Sequence, residues 1–123
     1  MGSIPVMPLL QIQTSSKAAS SGAPAGLLQT LSTELARELG KPESYMMVAF
    51  ETDAEILFGG TAEPACFCAL KNIGTFSPDQ TERVSALLTK NLSAALSVPP
   101  SRIYIEFVDA KPHLWGHDGG TFA

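Results

Sequence analysis

The chain repeats itself. Leu31, Leu35 and Leu39 superpose on Leu88, Leu92 and Leu96 at an offset of 57 residues, and the same offset lays Pro42 on Pro99, Ser44 on Ser101 and Phe50 on Phe107. Leucines four apart mark one face of a helix. A proline two or three residues beyond the last leucine ends that helix. A run rich in β-branched and aromatic residues follows in both copies, as strands require. Each half also begins with a strand-like run, Leu9 to Thr14 in the first and Ala65 to Lys71 in the second. The expected fold is therefore α/β (α+β): two βαβ repeats forming one four-stranded mixed sheet, with two helices on one face. The Ser-, Ala- and Gly-rich stretch from Ser15 to Gly26 reads as a loop entering the first helix.

Two helices leave one sheet face bare. Yet Met46-Met47-Val48-Ala49-Phe50 is apolar throughout, which suits a strand covered on both sides. With 123 residues and 45% apolar content, the chain is one domain that gains from further burial. Self-association is the economical cover, because large apolar patches rarely stay exposed. The alternative is a monomer with an adhesive sheet.

A net charge of −4 and a pI near 5.0 lack the basic footprint of a nucleic-acid binder. Mean hydropathy is only +0.14, and no apolar run approaches the roughly 20 residues of a membrane span. Met1 to Thr14 carries no positive charge and is interrupted by Pro5, Pro8 and Gln11, a poor signal peptide. Val6 stands where a myristoylation signal wants Ser or Thr. No nucleic acid and no membrane are expected as partners, and a cytoplasmic location is, with secretion by a non-classical route left open. Cys66 and Cys68 lie two apart in a strand and share a face, about 6–7 Å apart along it, so buried thiols are expected rather than a disulfide.

Six motifs in chain order resemble those of the macrophage migration inhibitory factor family. Met7-Pro8-Leu9-Leu10 is similar to its start, where methionine is removed and proline becomes N-terminal. Gly40-Lys41-Pro42-Glu43-Ser44-Tyr45 resembles its post-helix turn. Phe58-Gly59-Gly60-Thr61-Ala62-Glu63-Pro64 and Asn72-Ile73-Gly74 resemble two loops. Arg102-Ile103-Tyr104-Ile105 and Gly120-Thr121-Phe122 complete the set. The resemblance spans Met7 to Ala123 and implies a tautomerase-like fold in which three chains form a trimeric barrel of sheets with helices outside. It divides the chain into residues 1–7, an N-terminal extension or remnant, and residues 8–123, the tautomerase-like domain.

The implied activity is keto–enol tautomerisation of phenylpyruvate-like keto acids, with Pro8 as catalytic base. An α-amino group titrates near 7.7–8.0 in the open, and an apolar cleft or a nearby cation lowers that value. A neutral amine can then take a proton α to a carbonyl and return it elsewhere, with no cofactor. By resemblance, Lys41 and the Ile73 backbone N–H hold the substrate's carboxylate or carbonyl and stabilise the enolate. Tyr104 from a neighbouring subunit and Phe122 are aromatic walls, and Glu106, Tyr45 and Trp115 belong to the same pocket. Taken singly, Lys41 also reads as a cation at a helix C-terminus, and Tyr104 as a strand aromatic.

Departures from the family pattern matter. Ala65-Cys66-Phe67-Cys68 lacks the Cys-x-x-Cys spacing of a redox motif, so thiol–disulfide activity is not implied. Glu106 replaces a neutral amide at the pocket mouth, and Trp115 a small aliphatic residue. The loop near Lys17 is two residues longer. His113, His117 and Asp118 are metal-ligand types close in sequence, but Pro112 and Gly116 oppose the helix that would align the histidines, so no metal is expected. The competing function is a cytokine or binding protein with a vestigial or blocked pocket, acting on an unknown receptor; an idle structural trimer is the third. Six residues precede Met7, and the enzyme reading needs them and Met7 itself gone, because a proline inside a peptide bond is no base.

Overall fold

The computed structural model describes residues 7–123. Strand β1 (Pro8–Thr14) leads through a loop with a 3₁₀ turn at Lys17–Ala19 into helix α1 (Leu27–Leu39), and strand β2 (Met47–Glu51) follows. The second unit is strand β3 (Cys66–Ile73), helix α2 (Pro78–Leu96) and strand β4 (Ile103–Ala110). The sheet runs β2-β1-β3-β4. Within each unit the strands are parallel, and the units join antiparallel through β1 and β3. The expected repeat, its mixed sheet and its two helices are therefore all present. β1 starts one residue earlier than its apolar run, at Pro8, and β3 spans Cys66–Ile73 rather than Ala65 to Lys71.

The leucine ladders account for the core. Leu31, Leu35 and Leu39 from α1 and Leu88, Leu92 and Leu96 from α2 are buried over the sheet. They meet Leu10 and Ile12 of β1 and Cys66, Cys68 and Leu70 of β3. Alternation along the strands sends Val48, Phe50, Ile105 and Phe107 to the same side. The opposite side carries Met47, Ala49, Phe67, Tyr104 and Glu106. Met47 is 62% exposed, Phe67 39% and Tyr104 65% in the single chain. The apolar run of β2 thus splits between a helix-covered face and a bare one.

Helix ends follow their capping chemistry. Ser77 accepts a hydrogen bond from the Gln80 N–H, and Pro78 fills the first helical position of α2. Gly40 closes α1 in the left-handed conformation (φ 64°), and the Lys41 N–H returns to the Ala36 carbonyl at 3.0 Å. At the matching place in the second unit stands Ser97, also left-handed (φ 55°). Short 3₁₀ turns, Glu43–Tyr45 and Pro100–Arg102, then lead each copy into its second strand.

One element lies outside the repeat. After a 3₁₀ turn at Pro112–Leu114, β5 (Gly116–His117) and β6 (Gly120–Thr121) form a small antiparallel hairpin. Asp118 (φ 51°) and Gly119 (φ 80°) make its two-residue turn, both with the positive φ that a tight hairpin needs. The Phe122 N–H donates to the Trp115 carbonyl at 3.2 Å.

Candidate active site

The hairpin brings the C-terminal aromatics to the start of β1. A cavity of about 440 Å³ opens there, between Met7, Pro8 and Leu9, the turn from Ser44 into β2, and Trp115, His117 and Phe122. Pro8 is buried. Of the residues expected at the site, Pro8, Tyr45, Trp115 and Phe122 line this one cavity. The rings are ordered against each other. His117 stacks on Phe122 with ring centres 5.4 Å apart and 11° between planes, and Tyr45 meets His117 edge-on at 5.9 Å. Met46 and Met47 complete an adaptable wall.

Lys41 and Ile73 stand outside that lining but at the same end of the sheet. Gly40 reverses the chain after α1, and the Lys41 ammonium then donates to the Ile73 carbonyl at 3.2 Å. Ile73 follows Asn72, which pairs across the sheet with Pro8. Pro8, Lys41 and Ile73 are thus gathered from three segments. Partial burial lowers the Lys41 pKa below the ordinary lysine value. Asn72 is only 5% exposed, and its side-chain Oδ1 has no hydrogen-bond partner among the described residues. A buried acceptor left that way costs about 1–3 kcal/mol.

Tyr104 and Glu106 are elsewhere. Through Phe67, Tyr104 is in register with Gln13, near the far end of β1, and Glu106 through Ala69 with Gln11. At about 3.4 Å per residue and about 4.8 Å per strand, Tyr104 lies roughly 17 Å along and two strands across from Pro8. One chain cannot close that distance. Tyr104 instead packs against Phe58 (ring centres 4.8 Å). The Arg102 guanidinium sits over the other ring of that pair, 5.0 Å from the Phe58 centroid. Arg102 also donates to the carbonyls of Phe58, Thr61, Glu63 and Pro64, at 2.8 to 3.3 Å.

The cysteines are both free and buried, with sulfurs 3.9 Å apart, closer than their spacing along the strand. The contact with Cys66 and burial together push the Cys68 thiol far above the usual range. Among the described residues no three His, Cys, Asp or Glu side chains gather as metal ligands. His113 and His117 fall on a 3₁₀ turn and a strand, not on one helix face. Among the described residues no helix is long and apolar enough to cross a membrane.

With this geometry the family comparison is decisive: the model of the macrophage migration inhibitory factor (MIF) family matches residues 7–123. The chain belongs to the MIF family. Macrophage migration inhibitory factor of Rattus norvegicus is 36% identical over 117 residues, covering 95% of this chain and all of that protein. A homologue from Trichinella spiralis is 35% identical over 116 residues. The crystal structure of the Prochlorococcus marinus homologue superposes with a TM-score of 0.83 at 39% identity, over 94% of this chain and 99% of that one. MIF proteins are members of the tautomerase superfamily, and their fold is known as homo-oligomeric.

The sequence alone points to neither His117 nor Asn72 as a site residue, nor to the wall residues Met46 and Met47. The spacing of His117 from His113 points to metal ligation, whereas its place two residues after Trp115 puts the two on one face in a strand. Asn72 carried no signal of its own beyond its place beside Ile73.

Proposed function

We propose that the chain, beginning at Pro8, is a keto–enol tautomerase of phenylpyruvate-like keto acids and works as a homotrimer. The observation that carries this reading is the burial of Pro8 in an aromatic-walled cavity, with Lys41 and Ile73 at the same end of the sheet. In the chain beginning at Met1 the Pro8 nitrogen is an amide, and buried Met7 lines the cavity. Removal of residues 1–7 turns that nitrogen into a secondary amine and opens the space Met7 fills.

The chemistry then runs on one acid–base group. The neutral amine takes a proton from the carbon α to the ketone, the electron pair forms the C=C bond, and the carbonyl oxygen gains negative charge. Lys41 faces that charge or the substrate carboxylate, and the protonated Pro8 amine returns its proton to the enolate oxygen, which completes the enol and restores the neutral amine. The aromatic ring of the substrate lies among Tyr45, His117 and Phe122. Tyr104 and Glu106 reach the site from a neighbouring subunit, since their own Pro8 is too distant. The same contact covers Met47, Phe67 and Tyr104 on the bare sheet face. A cytoplasmic location, with non-classical secretion, is part of this proposal.

Met7, buried in the cavity, is compatible with a second reading: a MIF-like binding protein with a closed pocket that meets a receptor through its surface. Spectrophotometry with phenylpyruvate, on protein whose N-terminus is defined by mass spectrometry, separates the two. Turnover by the Pro8 form supports the enzyme; silence from both forms supports the binder.

A further inference from the structure

We infer that Asn72 is a positioning residue for the Pro8 amine, its side-chain oxygen receiving the N–H that appears when residues 1–7 are removed. The inference rests on the proposed role of Pro8 and names a partner for it. Asn72 is Pro8's direct cross-strand neighbour in an antiparallel pair, and both are buried. Directly opposed residues share a face of the sheet and hold their Cβ atoms about 4.5–5.5 Å apart, within reach of an amide side chain. The flanking residues of β1 and β3, Leu10 and Leu70, point to the helix side, which fixes the face of Pro8 and Asn72 two residues away.

Asn72 Oδ1 is a buried acceptor with no donor among the described residues. A proline within the chain has no N–H to offer. An N-terminal proline has one when neutral and two when protonated. A neutral amine whose single N–H is held by Asn72 presents its lone pair away from β3, toward the cavity. When protonated, it keeps one N–H on Asn72 and offers the other to the enolate. The charged side chains on the neighbouring segments are Lys41, hydrogen-bonded to Ile73, and Asp109, in register with Asn72 on β4 and accepting from Thr75 at 3.5 Å.

The test is an NMR titration of ¹⁵N-proline-labelled protein beginning at Pro8, with Asn72→Leu and Asn72→Asp variants. Loss of the acceptor disfavours the ammonium, so Asn72→Leu should lower the Pro8 midpoint by about one unit, and Asn72→Asp should restore or raise it. Tautomerase kcat should fall tenfold or more in Asn72→Leu with KM changed less. In the unsubstituted protein the Asn72 Cγ resonance should follow the Pro8 titration, a readout that needs no folded variant. An unmoved midpoint in Asn72→Leu, or an Asn72 Cγ resonance that ignores the titration, overturns the inference. The titration uses no substrate, so it decides the role of Asn72 even if the protein turns over no keto acid.

Discussion

The His117 imidazole lies flat on Phe122, ring centres 5.4 Å apart and planes within 11°. Tyr45 meets the same imidazole edge-on at 5.9 Å, so one histidine ties the C-terminal hairpin to the turn ahead of β2. An aromatic pair of this kind contributes about 0.5–1.5 kcal/mol beyond its buried area. His117→Ala should therefore raise KM for phenylpyruvate several-fold with little change in kcat. His117→Phe, which keeps the stack, should restore KM. Steady-state kinetics on the two variants checks this.

The internal repeat makes a stability prediction. Gly40 and Ser97 end equivalent helices in the same left-handed conformation, yet only glycine adopts it without a Cβ penalty. Ser97→Gly should stabilise the protein by up to about 1 kcal/mol, read as a rise in the denaturation midpoint. Gly40→Ala should destabilise it by a similar amount.

Arg102 ties the loop from Phe58 to Pro64 by four carbonyl contacts and a ring face. Arg102→Ala should lower stability by about 1–3 kcal/mol, since charged donors are lost from several acceptors at once. Lys cannot reproduce a planar fork, so Arg102→Lys should recover only part. Because Phe58 is also Tyr104's neighbour, near-ultraviolet circular dichroism of the tyrosine band should change with it.

Lys41 predicts a pH dependence. Burial disfavours its charge, so its folded pKa lies below the ordinary lysine value and it loses its proton earlier as pH rises. Binding of a carboxylate substrate should weaken through that alkaline window, with KM rising below the usual lysine range. The same sign applies to stability: the folded state disfavours the ammonium, so stability should gain as pH rises between the folded and unfolded values. Lys41→Met should raise KM at neutral pH and flatten both dependences.

The repeat, the two helices and the strand order within each unit were legible because leucine spacing and the prolines after each helix repeat at one offset. The central antiparallel pairing of β1 with β3 follows from packing two such units side by side. The β5–β6 hairpin was not legible: it spans two residues per strand, below any period, and only Asp118 and Gly119 mark its turn. Pro8, Tyr45, Trp115 and Phe122 were nameable through motif resemblance, and they share a cavity. His117 is masked in the sequence by its four-residue spacing from His113, which points to metal ligation. Asn72 depends on strand register, which residue types do not disclose.

The proposed chemistry resides on the Pro8 nitrogen, and phenylpyruvate turnover by two defined forms of the protein tests it most directly. Protein beginning at Pro8 should tautomerise the keto acid, and protein that retains Met7 should be nearly inactive, because its Pro8 nitrogen is delocalised into an amide. Mass spectrometry fixes each N-terminus, and absorbance at the enol band gives the rates. Equal rates from both forms, or an undiminished rate in a Pro8→Gly variant of the short form, would contradict Pro8 as the base.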